Sequence, residues 1–320
     1  MASADRSLIV WADSSRHKIR LVRRDDGTTW ILSGKGGNGF QDGRGRVEIK
    51  TAWGSASART EFAQFNTPFG VSFSPSGDMV AVADSGNHAI RLIHVKDGMT
   101  QTLVGGRIGS GYKDSTKEER EASFPQPFCV CFSPNGKYLA VTELGNNRIR
   151  LVLPHKRWTC TVAGPIEGKA RAFADGGAAQ ARFNHVLHCA FSVDSNTLMV
   201  ADSENCAIRM ISIRDRTTLT LVGSPAMRGF ANGIASAARF ARPFGVSFLA
   251  DNPGAFLVVA DRDNVALRRV ALAGGHVSTL NSQAVLSVAA QSVPAALQGV
   301  ASEMMMLWLS FLLREYPSPS

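Results

Sequence analysis

The chain has 320 residues, 44% of them hydrophobic, so it is long enough to bury a sizeable core as one large body or two small ones. Its 35 basic against 26 acidic side chains give a net charge of +9; the excess favours acidic partners but is scattered, without the uninterrupted block that marks a binding tail. Five cysteines at irregular spacing argue against a disulfide-stapled secreted domain and for reduced thiols in the cytoplasm.

In chain order, the opening residues lack a charged stretch followed by an apolar one, so no secretory signal is expected. Residues 12–20 read Ala-Asp-Ser-Ser-Arg-His-Lys-Ile-Arg, and related segments return at 83–91, 142–150, 201–209 and 260–268. The acids Asp84, Glu143, Asp202 and Asp261 stand 59 apart, whereas Asp13 lies 71 before Asp84, which places an insertion near residues 47–59. Phe65, Phe124 and Phe183 keep the interval of 59 and Phe240 follows after 57; Gly105, Gly164 and Gly223 keep it, as do Thr102, Thr161, Thr220 and Thr279. Four parallel registers at one period mark a repeat architecture.

Each unit predicts four short strands. Phe69, Val71 and Phe73 alternate with Gly70 and Ser72, the period of a half-buried strand, and the same face returns around Phe128, Leu187 and Phe244. Ser74-Pro75-Ser76-Gly77 supplies a turn; strands follow at 79–83, 89–95 and 100–104. Such sheets bury their apolar faces only by stacking on neighbours, which is the blade pattern of a β-propeller. The first unit lacks its innermost strand, and the rhythm fades after Leu280. Residues 1–280 are therefore read as the propeller and 281–320 as a divergent tail, a closing strand or part of a last blade. The tail's apolar run at 304–313 is too short to span a bilayer as a helix.

The pattern Phe-x-x-Pro-x-Gly-Val, Val-Ala-Asp-Ser-x-Asn-x-x-Ile-Arg, Leu-Val-Gly and a Gly-rich stretch, fullest over residues 65–115, resembles the NHL repeat over roughly residues 7–280. The resemblance implies an all-β, NHL-type β-propeller of six blades, here with five recognisable units and closure at five as the alternative. It also implies a platform for protein or RNA partners, with a minority of lyases and hydrolase-like enzymes. Glu143-Leu144 in place of Asp-Ser, Val186 in place of Pro and Arg269 in place of an apolar residue depart from the pattern.

The repeated acid-Asn-Arg set reads as blade construction: a carboxylate accepting turn N–H groups, an Asn that tolerates left-handed backbone and an Arg that pairs with neighbouring acids. The Asp-Ser-x-Asn hairpins and the long links should gather on one face, where repeat scaffolds bind. Contact residues should differ between units, which selects His88, Asn147, Arg148 and Cys206 in the hairpins and Arg107, Lys113, Lys169, Arg171 and Arg228 in the links. Gly34-Lys35-Gly36-Gly37 lacks the Gly-Lys-Ser/Thr ending of a phosphate loop. His185, His188 and Cys189 could start a metal site but show no further ligands, and Cys129 with Cys131 have no second pair. No catalytic residue, metal or cofactor is assigned. The primary expectation is a non-catalytic scaffold binding a protein partner through its loop-rich face. Single-stranded RNA binding through a basic face and a metal-dependent lyase or hydrolase are the alternatives.

Overall fold

The computed structural model describes Ser3 and residues 7–45, 62–106, 114–115, 122–166, 171–225, 227–249 and 255–280. The chain divides into two compact units, Met1–Arg23 with Thr28–Val162 and Arg24–Gly27 with Ala163–Ser320. The proposed insertion at 47–59 and the tail from 281 lie outside the described residues.

The first unit holds three antiparallel sheets. The first sheet has, among the described residues, β1 (Leu8–Asp13), β2 (Lys18–Arg23) and β3 (Thr29–Ser33), in keeping with the lack of a Phe-x-x-Pro segment ahead of β1. The second has β4 (Pro68–Phe73), β5 (Met79–Asp84), β6 (Ala89–His94) and β7 (Thr100–Gly105); the third has β8 (Pro127–Phe132), β9 (Leu139–Glu143), β10 (Arg148–Leu153) and β11 (Trp158–Ala163). Val80 and Val82 of β5 enter one core cluster with Val10, Leu21 and Phe65, while Ala81 and Ala83 enter another with Phe124, Val130 and Val141. The second sheet is thus buried on both faces, not half-buried as strand alternation alone suggests, because a neighbouring sheet covers each side. Close approach of innermost strands explains Gly70: a Cβ there would stand 2.6 Å from the Cys129 Cα.

The second unit holds two five-stranded sheets. The fourth has β12 (Gly176–Gly177), β13 (Val186–Phe191), β14 (Thr197–Asp202), β15 (Ala207–Ser212) and β16 (Thr217–Gly223). The fifth has β17 (Gly233–Ile234), β18 (Pro243–Phe248), β19 (Phe256–Asp261), β20 (Ala266–Ala271) and β21 (His276–Thr279). The two-residue strands β12 and β17 come from the links and pair with the outer strands β16 and β21, covering edges that would otherwise expose backbone groups. Five blade sheets stand among the described residues; the sixth that the resemblance implies is not among them.

A buried charge cluster ties each complete sheet together. Arg91 on β6 lies 2.8 Å from Asp84 and 2.7 Å from Asp42 in the preceding link, and donates to the Gln64 and Gln41 carbonyls. Its guanidinium sits 4.9 Å from the Phe40 ring centre and 5.2 Å from that of Phe65. Arg150 repeats this with Glu143 and Asp114, Arg209 with Asp202 and Asp175, and Arg268 with Asp261 and the neutral Asn232. Phe124, Phe183 and Phe240 lie on those guanidiniums, so the 59-residue phenylalanine register is a set of cation–π partners. The threonine register has a similar cause, because the Thr102, Thr161 and Thr220 backbone N–H groups donate to the second carboxylate of the clamp. Asp42 precedes Arg91 by 49 residues where Asp175 precedes Arg209 by 34, so the excess chain after Asp42 leaves the clamp intact.

These arginines are fully buried. Removing one would strand its buried carboxylate, so Arg209→Met is expected to cost about 3–5 kcal/mol in urea unfolding. Desolvation pushes the Asp84, Glu143 and Asp261 carboxyls up, and that of Asp202 up to about 6, against the opposing pull of Arg209. A folded-state value above the unfolded 3.8 means that the native state holds the extra proton between these limits. The Asp202 contribution to stability therefore falls as pH rises from 3.8 to about 6 and is flat above. Urea midpoints across that window should show this slope, and it should be absent in Asp202→Asn.

Candidate partner-binding face

The hairpins after β5, β14 and β19 carry the Asp-x-x-Asn signature, and each Asn bridges hairpin and link. Asn87 donates to Asp84 and to the Gly39 carbonyl, Asn205 to Asp202 and the Ala172 carbonyl, and Asn264 to Asp261 and the Gly229 carbonyl. In each of these sheets hairpin and link therefore share one end.

The left-handed residue of each hairpin is the one after the repeat's Asn, or after Arg16 in the first: His17, His88, Asn147, Cys206 and Val265 have φ of 55°, 55°, 53°, 49° and 49°. The glycine register follows from this turn. A Cβ on Gly105 would meet the His88 carbonyl at 2.4 Å, and one on Gly223 the Cys206 carbonyl at 2.3 Å. The same residues staple sheet to sheet. His17 Nδ1 accepts the Thr67 N–H at 2.9 Å and His88 Nδ1 accepts that of Gln126 at 3.1 Å. The Cys206 sulfur faces the Arg242 backbone N–H; burial pushes its thiol up, and that N–H offsets the shift only in part.

This geometry places the residues selected from sequence unevenly. Asn147 and Cys206 are buried at the left-handed turn position, Arg148 is buried as the first residue of β10, and His88 is half-buried and engaged in its staple. Arg107, Lys113 and Lys169 lie outside the described residues. Arg171 and Arg228 are exposed on the second unit and join residues that sequence reasoning did not select. Glu204 pairs with Arg242 at 2.8 Å and lies 3.6 Å from His185 Nδ1, and Arg228 pairs with Asp263. Desolvation, then the nearby Arg171 charge, hold the His185 imidazole below its usual range and so neutral at pH 7. Beside the Arg228–Asp263 pair, Met227, Phe230 and Val265 are 51%, 57% and 60% exposed; Ile234, 59% exposed, pairs with His276 at the other end of the fifth sheet. Only the outward positions of link and hairpin differ in this way, a signal that cannot be separated from staple variation without knowing which way each residue points.

His185, His188 and Cys189 do not converge on a metal. His188 Nδ1 faces the Val246 N–H at 3.4 Å, and among the described residues no group of three His, Cys, Asp or Glu side chains could hold a metal ion. The five cysteines are free, and no described helix is long and apolar enough to cross a membrane.

No family model matches the chain. It is 27% identical over 288 residues to NHL repeat-containing protein 2 of Gallus gallus, covering 82% of this chain and 36% of that protein. It is 25% identical over 283 residues to Protein SUPPRESSOR OF QUENCHING 1, chloroplastic, of Arabidopsis thaliana, covering 87% of this chain and 25% of that protein. The chain thus spans about a quarter to a third of the length of these curated relatives. The crystal structure of an auxiliary nutrient binding protein from Bacteroides thetaiotaomicron shares the fold, with a TM-score of 0.60 at 14% identity over 87% of this chain and 58% of that one. Together with the blade sheets and their repeated hairpins, these relatives make the chain an NHL-repeat β-propeller.

Val265 is a β-branched residue in left-handed backbone with no acceptor to offer, so Val265→Asn should raise stability by roughly 1 kcal/mol. His17→Leu, which removes a staple, should lower it by about 1 kcal/mol. Urea denaturation of the two variants checks both signs.

Proposed function

We propose that the chain is a non-catalytic scaffold that binds a protein partner through the hairpin-and-link face of its second unit. The observation that carries this reading is the group of exposed apolar side chains, Met227, Phe230 and Val265, beside the paired charges Arg228 and Asp263. Exposed apolar area rimmed by polar residues is the usual form of a protein-docking surface. Arg171 and Arg228 belong to this face, and Arg107, Lys113 and Lys169 extend the proposal into the other links. A net charge of +9 favours RNA as the second reading. Against it, Arg228 and Arg242 are each paired with a carboxylate, and Phe173 and Phe230 each rest against a buried arginine, which leaves less cation and less ring surface for a nucleic acid. Free thiols support a reducing location, for which the cytoplasm is proposed; one relative carries a chloroplast designation.

A photo-crosslinking residue at position 230 should yield a discrete protein adduct in cells. Arg228→Glu combined with Met227→Asp should cut that adduct at least about tenfold without changing the unfolding midpoint. A salt-sensitive shift of mixed-sequence RNA, abolished by the same pair of changes, would replace the protein reading with the RNA one.

A further inference from the structure

The first unit carries a cleft at the ends of the second and third sheets that lie away from the hairpins, between the β4–β5 turn and the β10–β11 turn. Its volume is about 360 Å³. Met79, Leu92, Leu103 and Phe132 form the floor, and they are the outer margin of the core cluster shared by the two sheets. The lips are charged and opposite in sign. Asp78 stands on the second-sheet lip, with His155 and Arg157 on the third-sheet lip.

The carboxylate is built in place. Asp78 Oδ1 accepts the Ser76 hydroxyl and, at 2.8 Å, the Ser74 hydroxyl, and these bonds, that from Ser76 first, hold its carboxyl below the ordinary range. It is ionised at neutral pH and makes no ion pair within hydrogen-bonding reach of any described residue, the nearby His94 adding only a weak pull, and neither His155 nor Arg157 has an acidic partner among the described residues. In the hairpin clamps each buried arginine meets a carboxylate within 3 Å. The cleft instead keeps an anion and two basic groups apart on facing lips over an apolar floor.

We propose that this cleft binds a small zwitterion with an apolar side group, of the size of a hydrophobic dipeptide. Its ammonium would meet Asp78, its carboxylate Arg157 and His155, and its side chains the Met79–Phe132 floor. The volume lies at the lower end of ligand sites, roughly 300–1,000 Å³, which suits such a molecule. Charge-assisted contacts at both ends would set its orientation, and the floor would supply the favourable burial. This site is separate from the hairpin face and stands or falls independently of the partner proposed there.

The test is titration of the full chain with the dipeptide Leu-Phe, followed through the Met79 methyl resonance. Saturable shifts are expected with the free dipeptide. Binding should weaken at least about tenfold when its amine is acetylated, and similarly when its carboxyl is amidated. Asp78→Asn, which keeps an acceptor for Ser74 and Ser76, should weaken the free dipeptide but leave the acetylated form unaffected. Arg157→Gln should do the same with respect to the amidated form. No saturable shift, or equal binding of the free and capped dipeptides, overturns the proposal. Because capping alters only the probe, that outcome is informative even if a variant folds poorly.

Discussion

The structure depends on a guanidinium taken out of water in each complete blade sheet and held between a hairpin acid and a link residue. An isolated buried charge is costly, so the arrangement persists only where every partner is in place. Arg209 shows the full set: two carboxylates, the Arg182 and Ala174 carbonyls, and aromatic rings on its faces. Once it is fixed, the hairpin, the third strand and the link that precedes the sheet are fixed with it. A loop joining one blade to the next thus becomes part of the following blade, and its Gly-Gly or Gly-Ile dipeptide can dock as an outer strand.

This construction has consequences for binding. Most polar side chains at the hairpin end, including Asn87, Asn205 and Asn264, are committed to internal bonds. What remains for a partner is the outward side of link and hairpin, and in the second unit that side carries apolar groups and paired charges rather than a basic field. The far ends of the second and third sheets follow a different logic, because their short turns carry no clamp and leave Asp78 and Arg157 without an ion pair among the described residues.

Local pattern carried much of this. The 59-residue registers of Phe, Gly, Thr and acid announced equivalent blades, and β4 to β7 fall within a residue or two of the strands that alternation and turn residues predict. The three-stranded first sheet was legible from its missing Phe-x-x-Pro segment. The acid-Asn-Arg set was legible as construction, although its second anchor was not. Asp42 and Arg91 are 49 residues apart, and no local rule couples them. Variation among His88, Asn147, Arg148 and Cys206 looked like surface specialisation. Arg148 apart, it is one turn position, held by His17 in the first hairpin, and in three of the hairpins its side chain meets a backbone N–H of the next sheet.

By itself the sequence determined the repeat, the order of the four main strands in each unit and the class of fold, but not the link strands β12 and β17, because the former follow from period, turn chemistry and the need of each apolar face for a neighbour. Only the tertiary structure decided which polar residues are spent inside the molecule and which face outward. That outcome depends on how a left-handed turn aims a side chain and on which distant carboxylate meets a buried arginine, and spacing along the chain encodes neither.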